Sequence, residues 1–487
     1  MKKSRKILAA FLAMASLLSV TACGGNGGRT TGGTEASTTT APQTTPVTYD
    51  TDEAVQDAIT DIEVDEEIKP EKKLKWLAWW PIDETSAEAE LFKANYGIPE
   101  EGDTSYGDYA NSISQYISVA YADRYDKLGN MVAAGDPPDI YPFEIGYFPL
   151  SAYKGMFQCI DGIVDTTAPE WADTRDVMDQ FMWDGKNYCA FTQVGTSYLY
   201  FYRKSVIQDA GLEDPYELYK AGEWTWDKFL EMGDKFQQSG ENKGLVDGWY
   251  IPRTLVCSTG VPVIGIEDGK LVSNMNNTNI ERAMEVVSTI TKQEYKLSAP
   301  GSVDVNGWRN GEVLFMVDGT WFYEDTACQM PIKKGLFTAD DVFFVPCPRD
   351  PDADKYYHEM KVDTYMLVSG STNYDTYKAW MGCVLAASKD PDAKAAQREK
   401  NKRDKNWLDE HLDFIDELTI GGALTPVFDF RNGISSECAD TTSGQSPTDL
   451  IICEPLNTAD VSYTQIRAEQ EGSILSAIEE LNSSLSS

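Results

Sequence analysis

Aromatic rings and carboxylates follow the first apolar segment of the predicted folded region. Trp79 and Trp80 stand at the end of that segment, with Asp83 and Glu84 just beyond. Two adjacent tryptophans of a strand cannot both face one core, so we expect at least one at a cleft or hinge. Flat rings offer apolar faces, and carboxylates accept hydrogen bonds from hydroxyl groups. Side chains of these types could hold a small polar molecule without making or breaking a bond.

A second aromatic pair, Trp249 and Tyr250, lies in a loop-like stretch between Gly248 and Pro252. Loops at strand ends of open α/β sheets border a crevice, so we expect this pair to face a ligand. The other tryptophans carry a different expectation. Core packing is predicted for Trp76, Trp226, Trp308 and Trp380, and core or surface packing is the default for Trp171, Trp183, Trp224 and Trp407.

No motif for catalysis or metal binding is present. The sequence lacks the GxSxG turn, the phosphate-binding glycine loop and the HExxH helix. Its two histidines, His358 and His411, disfavour a histidine-based triad or metal site, and a calcium loop at Asp350 lacks the required Gly and Glu. We therefore predict no enzyme activity, no cofactor and no metal. A glycan hydrolase stays an alternative, because it needs only two carboxylates among 78 acidic residues.

The first cysteine follows a pattern typical of export. Basic residues open the chain, an apolar run extends from Ile7 to Val20, and small residues lead to Cys23. The run is short for a membrane span, which takes ~20 apolar residues. Val20-Thr21-Ala22-Cys23 resembles the bacterial lipobox, and an ordinary signal peptide with a chance cysteine is the alternative. The sequence predicts a signal peptide over residues 1–22 and a lipid anchor at Cys23, on the outer face of the cell membrane.

The eight remaining cysteines, from Cys159 to Cys453, are too widely spaced for a CxxC redox pair or a zinc ribbon. Outside the cell an even number permits disulfides, and buried free thiols are the alternative.

Composition is that of a globular protein, with 42% hydrophobic and 11% aromatic residues. A formal net charge of −36 predicts a soluble surface that repels nucleic acid, but it does not select a ligand. The folded part is too long for one compact core, so two domains are expected.

Residues 23–72 are predicted to form a disordered tether. The first part is rich in Gly and Thr and the second part is strongly acidic. Such composition buries too little apolar surface to offset the entropy of ordering. A loose helix through Val55, Ile59 and Ile62 is the alternative.

Apolar periodicity from Lys73 onward predicts strands alternating with helices, which is typical of an α/β fold with parallel strands. The predicted strands are 74–80, 139–145, 181–183, 188–191, 198–203, 313–317, 342–345 and 365–368. The predicted helices are 84–96, 121–134, one that begins after Thr225, 279–292, 374–387 and 401–418.

Several stretches share the motifs of one family when taken in order. A helix, a glycine turn and a PDI strand occupy residues 121–140. They are followed by a GKxY-like hairpin at 184–188, a YYNK…AGL..P-like segment at 200–215, a WTWDxF helix start at 222–229 and an F..G..AM...G.W-like stretch at 308–321. Together they resemble the extracellular solute-binding proteins of ABC importers, above all the sugar-binding group known as family 1. One departure is Phe191-Thr192, where the family often has proline.

The resemblance implies an α/β, two-lobed, periplasmic-binding-protein-like (type II) fold with a hinge between the lobes. Lobe one would comprise residues 73–190 and 356–425, and lobe two residues 195–355 and 426–487. Lobes of this kind close on a ligand like a hinged clamp.

The resemblance also extends the expected ligand site. Phe143 and Glu144 match the loop that lines the family's cleft, and Trp321 matches a position that often stacks on sugar. With Trp79, Trp80, Asp83, Glu84, Trp249 and Tyr250, these residues form the predicted site.

The implied function is that of a lipid-anchored, monomeric subunit of an ABC importer. It would capture a sugar or oligosaccharide outside the cell and deliver it to the membrane permease, without a nucleic-acid partner. Alternatives are a surface-anchored glycan hydrolase, a non-transport carbohydrate-binding protein, an adhesive surface protein, or a binder of peptides or polyamines.

Overall fold

A computed structural model describes residues 52–99, 112–439 and 446–485. The predicted signal peptide, Cys23 and most of the predicted tether lie outside these residues. The described residues all belong to one unit of the chain, residues 46–487.

Thirteen strands form within the described residues: β1 (Leu74–Ala78), β2 (Ser114–Ser118), β3 (Ile140–Pro142), β4 (Gly195–Thr196), β5 (Leu199–Arg203), β6 (Gly244–Asp247), β7 (Ile264–Glu267), β8 (Lys270–Ser273), β9 (Val313–Asp318), β10 (Val342–Val345), β11 (Tyr357–Lys361), β12 (Tyr365–Leu367) and β13 (Thr425–Val427).

Eighteen α-helices accompany them in the same part of the chain: α1 (Glu53–Ala58), α2 (Ala87–Tyr96), α3 (Arg124–Ala134), α4 (Leu150–Tyr153), α5 (Arg175–Met178), α6 (Lys204–Asp209), α7 (Pro215–Lys220), α8 (Trp226–Gln238), α9 (Ile251–Cys257), α10 (Thr278–Lys292), α11 (Val305–Arg309), α12 (Trp321–Glu324), α13 (Thr326–Lys333), α14 (Tyr374–Lys389), α15 (Pro391–Lys405), α16 (Asp409–Leu418), α17 (Pro447–Asn457) and α18 (Tyr463–Ser483).

Two four-stranded sheets organise the molecule. Sheet A has the order β2-β1-β3-β12, with β1 parallel to both neighbours and β12 antiparallel to β3. Sheet B has the order β6-β9-β5-β10, with β6 and β9 parallel and the other pairs antiparallel. Strand β9 is buried over Val313–Val317, as expected for a strand covered on both faces.

A third sheet, sheet C, joins the other two. It has the order β13-β11-β4. Strand β4 pairs antiparallel with β11 and leads directly into β5 of sheet B. Along the chain, strand β11 follows β10 of sheet B and leads, after a short link, into β12 of sheet A. Two chain segments therefore pass side by side between sheets A and B through sheet C.

Several helices begin at side-chain caps that the sequence provides. Ser86, Thr225, Asn277 and Asp390 each accept a backbone N–H of the first turn, at the starts of α2, α8, α10 and α15. Such caps satisfy donors that a helix leaves without an internal partner. The predicted helix start at Thr225 is thus confirmed.

Most predicted elements are confirmed, and two are wrong. The predicted hairpin over 181–191 forms only an isolated bridge between Trp183 and Lys186. The neighbouring aromatic residues lie outside strands, and their rings are buried in the core without a sheet. The predicted helix over 401–418 is two helices, α15 and α16. Asn406 adopts a left-handed conformation with φ 57° between them, which ends α15.

Part of the predicted tether is ordered, which corrects the expectation of disorder there. Helix α1 packs against α2 and α15, with Val55 and Ile59 buried. The apolar residues at helical spacing supply enough burial to fix this short helix, although its surroundings are acidic.

The structure shows whether the tryptophans lie in the core and whether the cysteines form disulfides. All eight tryptophans for which core or surface packing was expected are buried: Trp76, Trp171, Trp183, Trp224, Trp226, Trp308, Trp380 and Trp407. The eight cysteines from Cys159 to Cys453 are free thiols, and six of them are buried. Within the described ranges, no helix has the length and apolarity needed to cross a membrane.

Candidate ligand-binding site

Aromatic and charged side chains gather where the parallel strands of sheet A end. Trp79 and Trp80 follow β1, Tyr121 follows β2 and Glu144 follows β3. Because β1, β2 and β3 are parallel, their carboxyl ends lie at one edge of the sheet. We call this group, together with Arg124, the sheet A cluster.

The rings of the sheet A cluster contact one another edge to face. The Trp79 centroid lies 4.6 Å from that of Trp80 and 5.0 Å from that of Tyr121. The Trp76 indole N–H donates to the Trp80 carbonyl at 2.8 Å and fixes the loop from below. Trp80 is 43% exposed, so its ring presents a free surface at this edge.

A buried arginine supports these rings. The Arg124 guanidinium lies 3.5 Å from the Tyr121 centroid and donates through Nε to Glu144 Oε2 at 2.9 Å. Glu144 also accepts a hydrogen bond from the Tyr141 hydroxyl at 2.8 Å. Burial, and then the Glu144 charge, raise the pKa of Tyr141, which keeps that hydroxyl a donor. The Glu144 carboxylate is thus held in place at the edge of the site.

Sheet B carries a second aromatic group at its corresponding edge. Trp249 and Tyr250 follow β6, and Trp321 follows β9, which is parallel to β6. Tyr198 precedes β5, which is antiparallel to β9, so the start of β5 lies beside the end of β9. We call these four residues, together with Arg253, the sheet B cluster.

The sheet B cluster combines a stacked pair with two exposed rings. Tyr198 and Tyr250 stack at 3.7 Å between centroids, and Trp321 meets Tyr198 edge-on at 6.0 Å. The Arg253 guanidinium lies 5.2 Å from the Tyr198 centroid. Trp249 is 54% exposed and Trp321 is 41% exposed. Exposed large rings at strand ends are suited to stack against an apolar face of a ligand.

Two glycines make this arrangement possible. Gly248 has φ 133°, and a Cβ there would lie 2.3 Å from the Val317 carbonyl oxygen. The loop that carries Trp249 can therefore leave β6 in close contact with β9 only if residue 248 has no side chain. Gly319 likewise leaves space that the Trp321 ring fills.

Charged groups flank the sheet B cluster. Asp318 ends β9, and burial raises the pKa of its carboxyl to about 6. The Gly319 N–H donates to this carboxylate at 2.8 Å. Arg253 pairs with Glu359 of β11 at 2.5 Å, so one cation of the cluster is tied to sheet C.

One short link of the chain borders both clusters. The Lys361 ammonium, at the end of β11, lies 5.8 Å from the Trp321 centroid. Thr364 directly precedes β12, and its carbonyl accepts the Phe143 N–H at 2.9 Å. Phe143 directly precedes Glu144. The passage from sheet C to sheet A therefore contacts the borders of both aromatic groups.

Three of the predicted site residues do not join the clusters. Glu84 is fully buried and accepts hydrogen bonds from the Ile113 N–H and two serine hydroxyls. Phe143 packs against Phe181 of the core at 5.2 Å. Asp83 is bonded to Lys400 of α15 at 2.6 Å. Their side chains thus have internal partners, whereas the predicted tryptophans, Tyr250 and Glu144 lie in the clusters.

Tyr121, Arg124, Tyr198 and Arg253 belong to the clusters but were missed from the sequence. Tyr198 carried a usable signal, because the residue before an antiparallel strand lies at the same edge as the end of its neighbour. The sequence offered no such signal for Tyr121 and Arg124, since β2 was not among the predicted strands.

Comparisons with known proteins agree with this fold. A family model described as bacterial extracellular solute-binding protein matches residues 113–398, more than half of the chain. The family and the structural neighbours are binding proteins rather than enzymes. No curated protein matches the sequence.

Solved structures of low sequence identity share the two-lobed α/β fold. The cyclic alpha-maltosyl-1,6-maltose binding protein of Arthrobacter globiformis matches with a TM-score of 0.59 and 13% identity, over 84% of this chain and 100% of that chain. The galacto-N-biose-/lacto-N-biose I-binding protein of Bifidobacterium longum matches with 0.57 and 10%, over 84% and 97%. The GacH receptor of Streptomyces glaucescens, solved with acarbose, matches with 0.56 and 16%, over 84% and 99%.

Proposed function

The chain belongs to the bacterial extracellular solute-binding protein family, and we propose that it captures a sugar or oligosaccharide between its two aromatic clusters for an ABC importer. The observation that carries this proposal is the pair of clusters at the strand ends of sheets A and B. Each cluster presents an exposed tryptophan, Trp80 in one and Trp321 in the other. A ligand lying between them would be stacked from two sides.

The chemistry of the clusters favours a sugar over a strongly apolar or highly charged solute. Sugar rings have apolar C–H faces, which stack on indole and phenol rings. Their hydroxyl groups need hydrogen-bond partners, and Glu144 and Asp318 lie beside the rings to accept them. Arg124 is paired with Glu144 and Arg253 with Glu359, so the positive charge of each arginine is compensated by a carboxylate. Structural neighbours solved with acarbose and with lacto-N-biose support the same class.

The proposal includes a hinged closure. Residues 73–190 and 356–425 would form most of one lobe, and residues 195–355 and 426–487 most of the other. Helix α16 is an exception to these bounds, because its His411 and Phe414 pack on β10 of sheet B. The two chain segments of sheet C would act as the hinge, since a hinge needs only a few residues at element ends. Closure would bring the clusters together on the solute and create the surface that a permease recognises.

We also propose that Cys23 carries the lipid anchor and that the protein works on the outer face of the membrane. Anchoring raises the effective concentration of the protein at its permease, so a modest docking affinity suffices. Replacing Cys23 with serine is expected to release the protein from the membrane fraction into the medium. Retention of the Cys23→Ser variant in the membrane would contradict the anchor and leave the binding proposal untouched.

The binding proposal is tested by thermal-shift screening against a panel of mono- and oligosaccharides, because a ligand of the native state raises its melting temperature. A positive sugar is then titrated against the Trp80→Ala and Trp321→Ala variants. Each substitution is expected to weaken binding about five- to tenfold, which corresponds to ~1 kcal/mol of ring stacking.

Tyr153→Ala is the matched control, since Tyr153 is exposed to a similar degree on α4. It should bind like the wild type. Equal affinities for all three variants would contradict the site, and shortened glycan products after incubation would point to a hydrolase instead.

A further inference from the structure

Helix α15 is firmly attached to the sheet A side of the molecule. It packs against α1, α2 and α14. Helix α14 in turn carries Trp380, whose ring lies 5.4 Å from that of Tyr365 in β12. The Asp390 side chain caps the start of α15 by accepting the N–H groups of Asp392 and Ala393. Tight capping and packing on three helices make α15 a rigid body with sheet A.

One lysine of α15 holds the loop of the sheet A cluster. The Lys400 ammonium donates to Asp83 Oδ2 at 2.6 Å, and Lys400 is 8% exposed. Asp83 lies three residues after Trp80 in the loop that follows β1. Partial burial opposes ionisation of Asp83, but the hydrogen bonds from Lys400 and Thr85 outweigh it and lower the pKa of its carboxyl. The Asp83 carboxylate therefore stays ionised, and its bond to Lys400 fixes the loop to the helix.

The last residue of α15 contacts the helix that begins with Trp321 of the sheet B cluster. The Lys405 ammonium lies 3.0 Å from Glu324 Oε2. Glu324 ends α12, the short helix that begins with Trp321. The Trp407 indole N–H donates to the other Glu324 oxygen at 2.9 Å. The helix that presents Trp321 is thus bonded to the residues at and just beyond the end of α15.

A buried amide fastens this junction, which we call the elbow (residues 405–407). Gln329 of α13 donates through Nε2 to the Tyr323 carbonyl at 2.7 Å and to the Lys405 carbonyl at 3.0 Å. Its Oε1 accepts from Asn406 Nδ2 at 2.7 Å. The Tyr323 hydroxyl donates to the Asn406 carbonyl at 2.7 Å. Every polar atom of the Gln329 amide is therefore used to join the elbow to α12 and α13.

We infer that α15 is a strut that sets the separation of the two aromatic clusters and so the size of solute that fits between them. Lys400 and Lys405 lie about 7.5 Å apart along the helix axis, at 1.5 Å per residue. Each fastens the segment that carries one exposed tryptophan, Trp80 or Trp321. The elbow connects the strut to the sheet B side, and it would bend together with the sheet C hinge when the lobes close. Gln329, Glu324, Lys400 and Lys405 are positioning residues in this scheme, which rests on the proposed function.

The strut is tested by measuring a distance, which needs no solute. Spin-labelled unnatural amino acids replace Tyr153 on the sheet A side and Leu336 on the sheet B side, both exposed, so that the native cysteines stay unlabelled. The wild-type chain is expected to give one narrow distance distribution by pulsed electron resonance. Gln329→Met removes the three hydrogen bonds of the Gln329 amide at similar volume, and it should broaden the distribution and shift its centre.

Glu324→Gln and Lys400→Met provide independent variants that should leave the chain folded, because Glu324 is partly exposed and Asp83, which Lys400→Met leaves without its lysine, is half exposed to solvent. Each is expected to shift the distribution in the same sense as Gln329→Met, by a smaller amount. Lys389→Met is the matched control, because Lys389 forms a comparable ion pair of 2.7 Å with Asp173 away from both clusters. It should leave the distribution unchanged.

The outcomes separate the strut from the proposed function. Distributions identical to wild type in Gln329→Met, Glu324→Gln and Lys400→Met would overturn the strut, even if sugars bind. A shifted distribution in a protein that binds no sugar of the panel would support the strut and contradict the proposed function. Where a sugar does bind, the strut also predicts that Gln329→Met changes the preference between a mono- and an oligosaccharide. A uniform loss of affinity for both sugars would count against a role in setting solute size.

Discussion

The indole ring of Trp321 lies against the backbone of Gly319, so closely that a Cβ at position 319 would be 2.2 Å from the nearest ring carbon. The ring thereby covers the end of β9 and turns its outer part toward the sheet B edge, where 41% of the residue is exposed. The orientation of a proposed solute-stacking ring thus depends on a residue that has no side chain.

We predict that Gly319→Ala weakens sugar binding with little loss of stability. The Trp321 ring can swing away from the new methyl group, so the fold tolerates the change, but the ring leaves its stacking position. The expected loss of affinity approaches that of Trp321→Ala, about five- to tenfold by calorimetric titration.

Gly382→Ala is the matched control for this prediction. Gly382 lies in α14 with no atom within 4 Å of an added Cβ, and alanine favours the helix. Unchanged affinity is expected there. Wild-type affinity in Gly319→Ala as well would show that the position of the Trp321 ring does not matter for binding.

The carboxyl of Asp318 should make stability depend on pH. Burial raises its pKa from 3.8 to about 6, so the folded state holds the proton more tightly than the unfolded state does. Stability from this group is fully present below about pH 4 and is lost as pH rises through 6. Asp318→Asn should therefore raise the free energy of unfolding at pH 7.5 by up to about 2 kcal/mol and have little effect near pH 4. Urea titrations at the two pH values measure the difference, and equal effects at both would contradict the assignment.

The same carboxyl should make solute affinity depend on pH. A sugar hydroxyl that donates to Asp318 stabilises the ionised form, so affinity is expected to rise between pH 5 and pH 7. Asp318→Asn should flatten this profile, as measured by titration calorimetry at several pH values. A wild-type profile that is already flat would place Asp318 outside the contact with solute.

Glu84 is expected to act in folding rather than in binding. Its carboxylate accepts the Ile113 N–H at 3.0 Å and the hydroxyls of Ser112 and Ser114, all without exposure to solvent. Glu84→Ala leaves these buried donors without their acceptor and should cost about 3 kcal/mol of unfolding free energy. The folded variant should bind sugar like the wild type. The exposed Glu223, changed to Ala, controls for loss of charge, and a binding defect without destabilisation would restore Glu84 to the site.

The sequence predicted the strands best where apolar runs end at clear breakers. Val342–Val345 is predicted and observed with the same bounds, because every residue of β10 is buried. The strands predicted around Phe181 and Tyr188 do not form, although these residues are also buried. Phe181 is buried by other rings, at 4.8 Å from Phe428 and 5.7 Å from Phe430. Burial by distant aromatic residues gives the same local pattern as burial in a sheet, so a single sequence cannot separate them.

Strand ends located the candidate site, but the sequence could not rank the residues there. Trp79, Trp80 and Glu84 all follow β1, and the backbone turns so that Glu84 points inward. That choice depends on Ile113, whose N–H needs an acceptor and which is distant in sequence. Arg253 enters the site through its pairing with Glu359 of β11. Contacts of this kind arise only from the assembled fold.

Helix α1 provides a last prediction, about the start of the ordered region. Val55 is fully buried, and Gln56 donates to Glu90 of α2 at 2.9 Å, so the helix is docked by both apolar and polar contacts. Val55→Asp would place an unpaired charge in this contact and should release α1, at a cost on the order of 2 kcal/mol. Limited proteolysis should then cleave the variant within residues 52–72 much faster than the wild type, while the remainder stays resistant. Asp57→Ala, on the exposed side of the same helix, should be cleaved like the wild type. Equally fast cleavage of Val55→Asp and the wild type within residues 52–72 would mean that α1 is not docked in solution, and that the acidic segment is a tether up to β1.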